Sequence, residues 1–190
     1  MDKIKILNIN FNNFTENEFF SQCKKGLVVT PNVDFFIINQ KDKEFYNILN
    51  ESEYVLCDSQ LIYLGSKLLG KPFKQKLSGS DIFPRFCEFH KDNNEMKIFL
   101  MGGMPGIPEK AAHNINEKVG RSIVVDSYSP LFGYENSNDE TNKMIDLFNN
   151  SSANILALGT GAPKSEKWVS KNRDKLNADI IFCIGATINF

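Results

Sequence analysis

The sequence predicts an α/β protein: a mostly parallel, Rossmann-like sheet flanked by helices on both faces. Runs such as Val55-Leu56-Cys57 and Ile155-Leu156-Ala157-Leu158 are continuously apolar rather than alternating, as strands covered on both sides require. Longer segments of helical spacing separate these runs, and that alternation builds parallel sheets. The residues just after several runs are glycine-rich or polar, which suits the ligand-binding edge of such a sheet.

The predicted strands are Ile4–Ile9, Leu27–Thr30, Tyr54–Cys57, Lys97–Met101, Ile123–Ser127, Ile155–Leu158 and Asp179–Ile184. Helices are expected at Glu16–Lys25, Asp34–Gln40, Glu44–Glu51, Gln60–Leu69, Ile82–Lys91, Pro108–Lys118, Asp139–Asn149 and Ser165–Lys175. Thr15 and Glu18 have capping-box spacing, Pro108 suits a first turn, and Asp139 opens its helix after a polar loop. Loops at 91–95, 135–138 and 149–152 are short, so residues 1–190 form one predicted domain without linker or repeat. The final strand runs almost directly into Phe190, where a binding loop would lead into another helix, so a C-terminal segment is expected to be absent.

Lys and Arg total 22 against 23 acidic residues, which leaves no cationic footprint for a phosphate backbone, so nucleic acid is not an expected partner. Cys23, Cys57, Cys87 and Cys183 form no C-x-x-C pair and read as free cytosolic thiols. The N-terminus lacks the apolar stretch of a signal peptide and no run reaches transmembrane length, so a cytoplasmic protein is expected. His90 and His113 read as exposed helix residues without ligand spacing, and no metal site is expected.

In an open parallel sheet, ligands bind beyond the carboxyl ends of the strands. Thr30-Pro31-Asn32, Asp58-Ser59-Gln60, Gly102-Gly103-Met104-Pro105-Gly106 and Gly159-Thr160-Gly161-Ala162-Pro163-Lys164 therefore converge on one rim. Gly102, Gly103 and Gly106 allow backbone N–H groups to approach a phosphate at a helix end, or they serve only to turn the chain. Gly161, Pro163 and Lys164 offer a second such loop, or a solvated lysine at a helix start. Asp58 ends an apolar strand, where burial would raise its pKa toward that of a useful base; the alternative is that it caps the helix from Gln60. Asp81 is read mainly as the cap of the helix from Ile82, or as orienting a ligand. Tyr134, in a loop after Gly133, either packs on a nucleotide base or edges the core.

Taken in order, Asn8 to Thr15, Thr30-Pro31-Asn32, Val55 to Asp58, Leu68-Leu69-Gly70, Leu77 to Asp81, Gly102-Gly103, Pro105-Gly106, Gly133-Tyr134 and Leu158 to Trp168 closely resemble the WecG/TagA/CpsF glycosyltransferases over nearly the whole chain. Gly161-Ala162-Pro163-Lys164 with Glu166-Lys167-Trp168 is similar to the family's G-x-P-x-Q-E-x-W signature. The resemblance implies a UDP-sugar donor, an undecaprenyl-diphosphate-linked acceptor in surface-polysaccharide or teichoic acid synthesis, and inversion without an essential metal or cofactor. N-acetylmannosamine is the favoured sugar.

On this resemblance Asp58 is the general base. Thr30 and Asn32 line the donor sugar pocket, the Gly102–Gly106 loop approaches the diphosphate, and Tyr134 with the Gly161–Glu166 loop holds the nucleotide. Gln60, Lys76, Ser78, Gly79, Asp81 and Asn189 join them as substrate-binding positions. Lys76 stands where the family commonly has arginine, Ser165 where it has glutamine, and Asn189 where it has aspartate; lysine keeps the charge but loses the bidentate fork. The resemblance further implies an absent C-terminal appendage that makes peripheral contact with the inner face of the cell membrane, and allows homo-oligomers. A non-catalytic UDP-sugar binding module is the alternative. A dinucleotide-dependent oxidoreductase is a weaker one, since no G-x-G-x-x-G is present.

Overall fold

A computed structural model of the chain describes residues 2–185 and 188. The chain opens on a hairpin, β1 (Lys3–Ile6) and β2 (Ile9–Asn12), paired antiparallel as a separate two-stranded sheet. The expected strand Ile4–Ile9 is therefore corrected: it contains the turn. Leu7 takes φ 51° there, and the turn is pinned by Asn8 Nδ2 donating to the Phe36 carbonyl (3.2 Å) and Asn39 Nδ2 donating to the Asn8 carbonyl (3.0 Å).

The main sheet has six strands, all parallel, in the order β4-β3-β8-β7-β5-β6. They are β3 (Gly26–Val29), β4 (Tyr54–Val55), β5 (Ile98–Gly102), β6 (Val124–Tyr128), β7 (Ile155–Gly159) and β8 (Ile180–Cys183). Every residue of β3, β4, β5, β7 and β8 is buried, as their unbroken apolar runs predict.

Strand side chains alternate between faces, which divides the core into two clusters. Val28, Ala157 and Phe182 face α1 (Glu16–Gln22), α5 (Gly79–Phe89) and α6 (Ile107–Val119). Leu27, Val29, Leu156 and Ile181 face α2 (Val33–Lys41), α3 (Lys43–Glu51), α7 (Asn138–Asn150) and α8 (Lys164–Asn172). Phe182 is a hub of the first cluster: its ring meets Phe86 at 5.0 Å, Phe83 at 5.4 Å and Phe19 at 6.3 Å, centroid to centroid.

Helix starts follow their caps. At α1 the Thr15 N–H donates to Glu18 Oε2 (2.7 Å) and the Glu18 N–H to Thr15 Oγ1 (3.3 Å), completing the capping box. α7 is capped by Ser137 and not opened at Asp139. α5 begins three residues earlier than expected because Ser78 is its N-cap, which places Asp81 inside the first turn rather than at the cap. The last predicted helix ends at Asn172 and continues as a short 3-10 turn, Arg173–Lys175.

His90 is also corrected. It is buried against Phe86 and Phe89, with Nε2 3.3 Å from the Phe20 carbonyl, and burial pushes its pKa down. The four cysteines are buried and free.

Candidate active site

The carboxyl ends of β3 and β4 are tied together by backbone hydrogen bonds. The Leu56 N–H donates to Val29 (2.9 Å), the Asp58 N–H to Pro31 (3.3 Å), and the Leu77 N–H to Cys57 (2.9 Å). Asp58 is thus wedged between the Thr30-Pro31-Asn32 loop and the entry to α5. It does not cap the helix that follows it: α4 (Gln60–Leu68) takes its N-cap from Ser59, whose Oγ accepts from the Ile62 N–H at 3.4 Å. Instead the Asp58 carboxylate accepts hydrogen bonds from the Ser78 hydroxyl and from the Gly79 N–H at the first turn of α5. A carboxylate from one element thereby satisfies an orphan donor of another.

Burial is the largest influence on Asp58 and raises its pKa above the ordinary carboxylate value. The Ser78 and Gly79 hydrogen bonds and the Lys76 charge oppose that shift, while the Asp81 charge adds to it. The balance leaves a half-buried carboxylate whose proton affinity is higher than that of a surface aspartate, which is what a general base requires. Gly79 is needed for this packing, because a Cβ there would stand 2.5 Å from Thr30 Oγ1.

A cleft of about 290 Å³ opens beside Asp58, at the lower end of the size of ligand sites. Thr30, Asn32, Asp58, Gly161 and Glu166 line it together, so five residues predicted from three separate loops meet in one cavity. Asn32 also caps α2, its Oδ1 accepting from the Asp34 N–H at 3.0 Å. Ala162, Cys183 and Gly185 complete the wall beneath, and Phe35 and Ile38 of α2 close one side. Phe35, Ile38, Cys183 and Gly185 were not foreseen; their signal is positional, since Cys183 ends β8 and the spacing of Phe35 and Ile38 puts both on one face of a helix starting at the Asn32 cap.

Glu166 is only 1 % exposed, and its Oε2 has no hydrogen-bond partner among the described residues. Burial pushes its pKa up to about 7. Three carboxyl groups therefore line the cleft in different environments: exposed Asp34 on the first turn of α2, Asp58 braced by donors, and buried Glu166 with its Oε2 unpartnered among the described residues.

Other predicted residues are placed differently. Gly102 ends β5 opposite Gly159 of β7, with φ 131°, and a Cβ on either glycine would collide with Ile188. The two glycines make room for that isoleucine. Gly103 (φ 72°) and Gly106 (φ 87°) have backbone conformations that favour glycine, and Gly106 is the N-cap of α6. None of the three lines the Asp58 cleft.

Tyr134 is not a loop residue with an open ring: it begins a short 3-10 turn and is buried, with its hydroxyl 2.5 Å from Thr160 Oγ1. Thr160 Oγ1 in turn lies 2.9 Å from the fully buried Ser165 Oγ. Pro163 is the N-cap of α8, and Lys164 pairs with Glu135 at 2.8 Å. Gln60 is exposed on the first turn of α4. Asp81 lines a neighbouring hollow of about 540 Å³ between α5 and α6, shared with Arg85 and Lys118. Asn189 lies outside the described residues. Among those residues no group of three or more His, Cys, Asp or Glu could hold a metal ion.

A family model described as Glycosyl transferase WecG/TagA/CpsF family matches residues 4–190. The chain belongs to this glycosyltransferase family. Among curated relatives, an N-acetylglucosaminyldiphosphoundecaprenol N-acetyl-beta-D-mannosaminyltransferase of Staphylococcus aureus (strain MRSA252) is 22% identical over 196 residues, which cover 98% of this chain and 74% of the relative. The protein of the same name from strain NCTC 8325 / PS 47 matches to the same extent.

In this glycosyltransferase the signature tryptophan, Trp168, is structural: it is buried, and its Nε1–H donates to Thr141 Oγ1 of α7 at 3.1 Å. Ser165, at the position of the expected glutamine, spends its hydroxyl on Thr160 and the Gly161 carbonyl (3.3 Å). A short side chain there closes the loop on itself, where a glutamine has the length to extend from it.

Proposed function

We propose that this glycosyltransferase moves a sugar, with N-acetylmannosamine favoured, from a UDP-sugar to an undecaprenyl-diphosphate-linked acceptor, inverting the anomeric carbon. The reaction serves surface-polysaccharide or teichoic acid synthesis at the cytoplasmic face of the cell membrane. The reading needs no cofactor beyond the donor. Among the described residues no helix is long and apolar enough to cross a membrane.

The observation that carries the proposal is the position of Asp58: a half-buried carboxylate with raised proton affinity, facing a cleft at the carboxyl edge of a parallel sheet. As the acceptor oxygen attacks C1 of the donor sugar, Asp58 takes the hydroxyl proton. The C1–O bond to the β-phosphate breaks, and UDP leaves with that electron pair. Thr30 and Asn32 line the same cleft and are assigned to the donor sugar. Lys76, whose charge reaches Asp58, is assigned to the phosphates, and the Gly102–Gly106 and Gly161–Glu166 loops to the diphosphate and nucleotide.

A thermal-shift and calorimetric panel of UDP-sugars and dinucleotides tests this reading. UDP-sugars should stabilise the fold logarithmically with free ligand, by about 2.7 kcal/mol at a hundredfold excess over Kd, and so raise the unfolding temperature. Stabilisation by NAD with no response to any UDP-sugar would contradict it.

A further inference from the structure

Between Asp58 and Gly79 the chain leaves the cleft and returns to it. α4 starts two residues beyond Asp58, and the segment comes back through the Leu77–Cys57 backbone hydrogen bond to the donors on Ser78 and Gly79. The excursion is firmly seated. Ile62 and Ser66 face inward, the Lys71 N–H donates to the Ser66 carbonyl (2.8 Å), the Phe73 N–H donates to Ser66 Oγ (3.3 Å), and the buried Phe73 ring packs on Phe11 at 5.4 Å.

Its outer face is unusual for a protein surface. Leu61, Leu64 and Leu68 recur at i, i+3 and i+7, which places them on one stripe of the helix, and Leu69 extends it. Their exposures are 67%, 48%, 90% and 58%. Single exposed leucines are ordinary, but three on successive turns with a fourth at the C-cap form an apolar patch, the mark of a docking surface.

The charge of the segment that carries the patch is one-sided. Residues 59–80 contain Lys67, Lys71, Lys74 and Lys76 and no Asp or Glu, in a chain of formal net charge −1. Lys74 is paired with Glu18 (2.8 Å), while Lys67 Nζ lies 4.4 Å from the Tyr63 ring centroid beside the leucine stripe.

We propose that the leucine face of α4 with its flanking lysines docks the protein on an anionic phospholipid bilayer. Leucines entering the headgroup boundary and lysines meeting lipid phosphates are the two attractions that hold an amphipathic helix at an interface. A second copy of this chain fits less well, because a two-fold contact would set these lysines against their own counterparts. The inference rests on the lipid-linked acceptor of the proposed function. Because the excursion is anchored at both ends beside Asp58, docking it would hold the base next to the headgroup layer where such an acceptor presents its diphosphate.

Co-sedimentation of the full chain with vesicles of phosphatidylglycerol and phosphatidylcholine, against pure phosphatidylcholine vesicles, tests the proposal. Binding should require the anionic lipid and weaken by about tenfold or more in about 0.5 M salt. Leu64→Glu with Leu68→Glu, and separately Lys67→Glu with Lys71→Glu, should each reduce vesicle binding by about tenfold or more while leaving the unfolding temperature unchanged. Three results would overturn it: wild type that stays in the supernatant, variants that sediment like wild type, or leucine variants that only split a dimer on gel filtration. Transfer to a short-chain, water-soluble lipid-diphosphate acceptor separates this inference from the enzymatic one. Wild type that turns over that acceptor but ignores vesicles refutes docking alone; wild type that binds vesicles through α4 yet never transfers refutes the enzymatic reading alone.

Discussion

Replacing Asp58 with alanine is expected to lower sugar transfer by about 10²–10⁴-fold, the usual range for a lost general base, while UDP affinity changes by no more than about threefold. The separation follows from position. Asp58 faces the cleft where the acceptor oxygen would lose its proton, whereas the nucleotide is assigned to loops on other strands. Alanine also removes the acceptor for the Gly79 N–H at the start of α5, an effect on the order of 1 kcal/mol on folding. Asp58→Asn is therefore the necessary companion, since its amide oxygen can keep that hydrogen bond but cannot take a proton. Both variants should be equally slow, and only the alanine should be less stable. Initial rates with titration calorimetry of UDP check this; an asparagine variant with near-normal turnover would remove Asp58 from the chemistry.

Glu166 lies almost wholly buried at the wall of the same cleft. Its folded-state pKa is raised from the ordinary 4.5 to about 7 by burial, so between these values the folded protein keeps a proton that the unfolded chain has released. Stability contributed by that proton is complete below about pH 4.5 and is lost as pH rises through about 7, on the order of 3 kcal/mol in all. Glu166→Gln has nearly the same shape and no charge to desolvate. Relative to wild type, the glutamine variant should gain about 3 kcal/mol of unfolding free energy on going from pH 4 to pH 8, measured by urea denaturation. A difference that stays constant across that range would mean that Glu166 titrates normally.

The parallel sheet was legible because five of its six strands are wholly buried, and full burial prints itself as an apolar run. The N-terminal hairpin was not, since Lys3–Asn12 alternates weakly and its turn uses Leu7 and Asn8 rather than a glycine. Asparagines in the same motif are structural: Asn12 Oδ1 accepts from the Val55 N–H at 2.7 Å, and Asn13 Oδ1 from the Lys74 N–H at 2.8 Å.

In the site, strand-end position put Thr30, Asn32, Asp58 and Gly161 on one rim, because parallel strands must end on one edge, and these four line one cleft; Glu166, named only through the signature resemblance, lines it too. What position could not supply was side-chain direction. Tyr134 and Ser165 are spent on Thr160, and Asp58 caps a helix twenty residues away instead of the adjacent one. The role of Gly102 and Gly159 depended on Ile188, a contact between distant parts of the chain that local spacing does not encode.

A crystal structure of the full chain with a bound UDP-sugar would locate the donor. The sugar should lie in the cleft between Thr30, Asp58 and the Gly161–Glu166 loop, with its anomeric carbon open to attack from the Asp58 side. A donor lodged instead in the hollow between α5 and α6, with the Asp58 cleft empty, would contradict the assignment of Asp58 and of the loops around it.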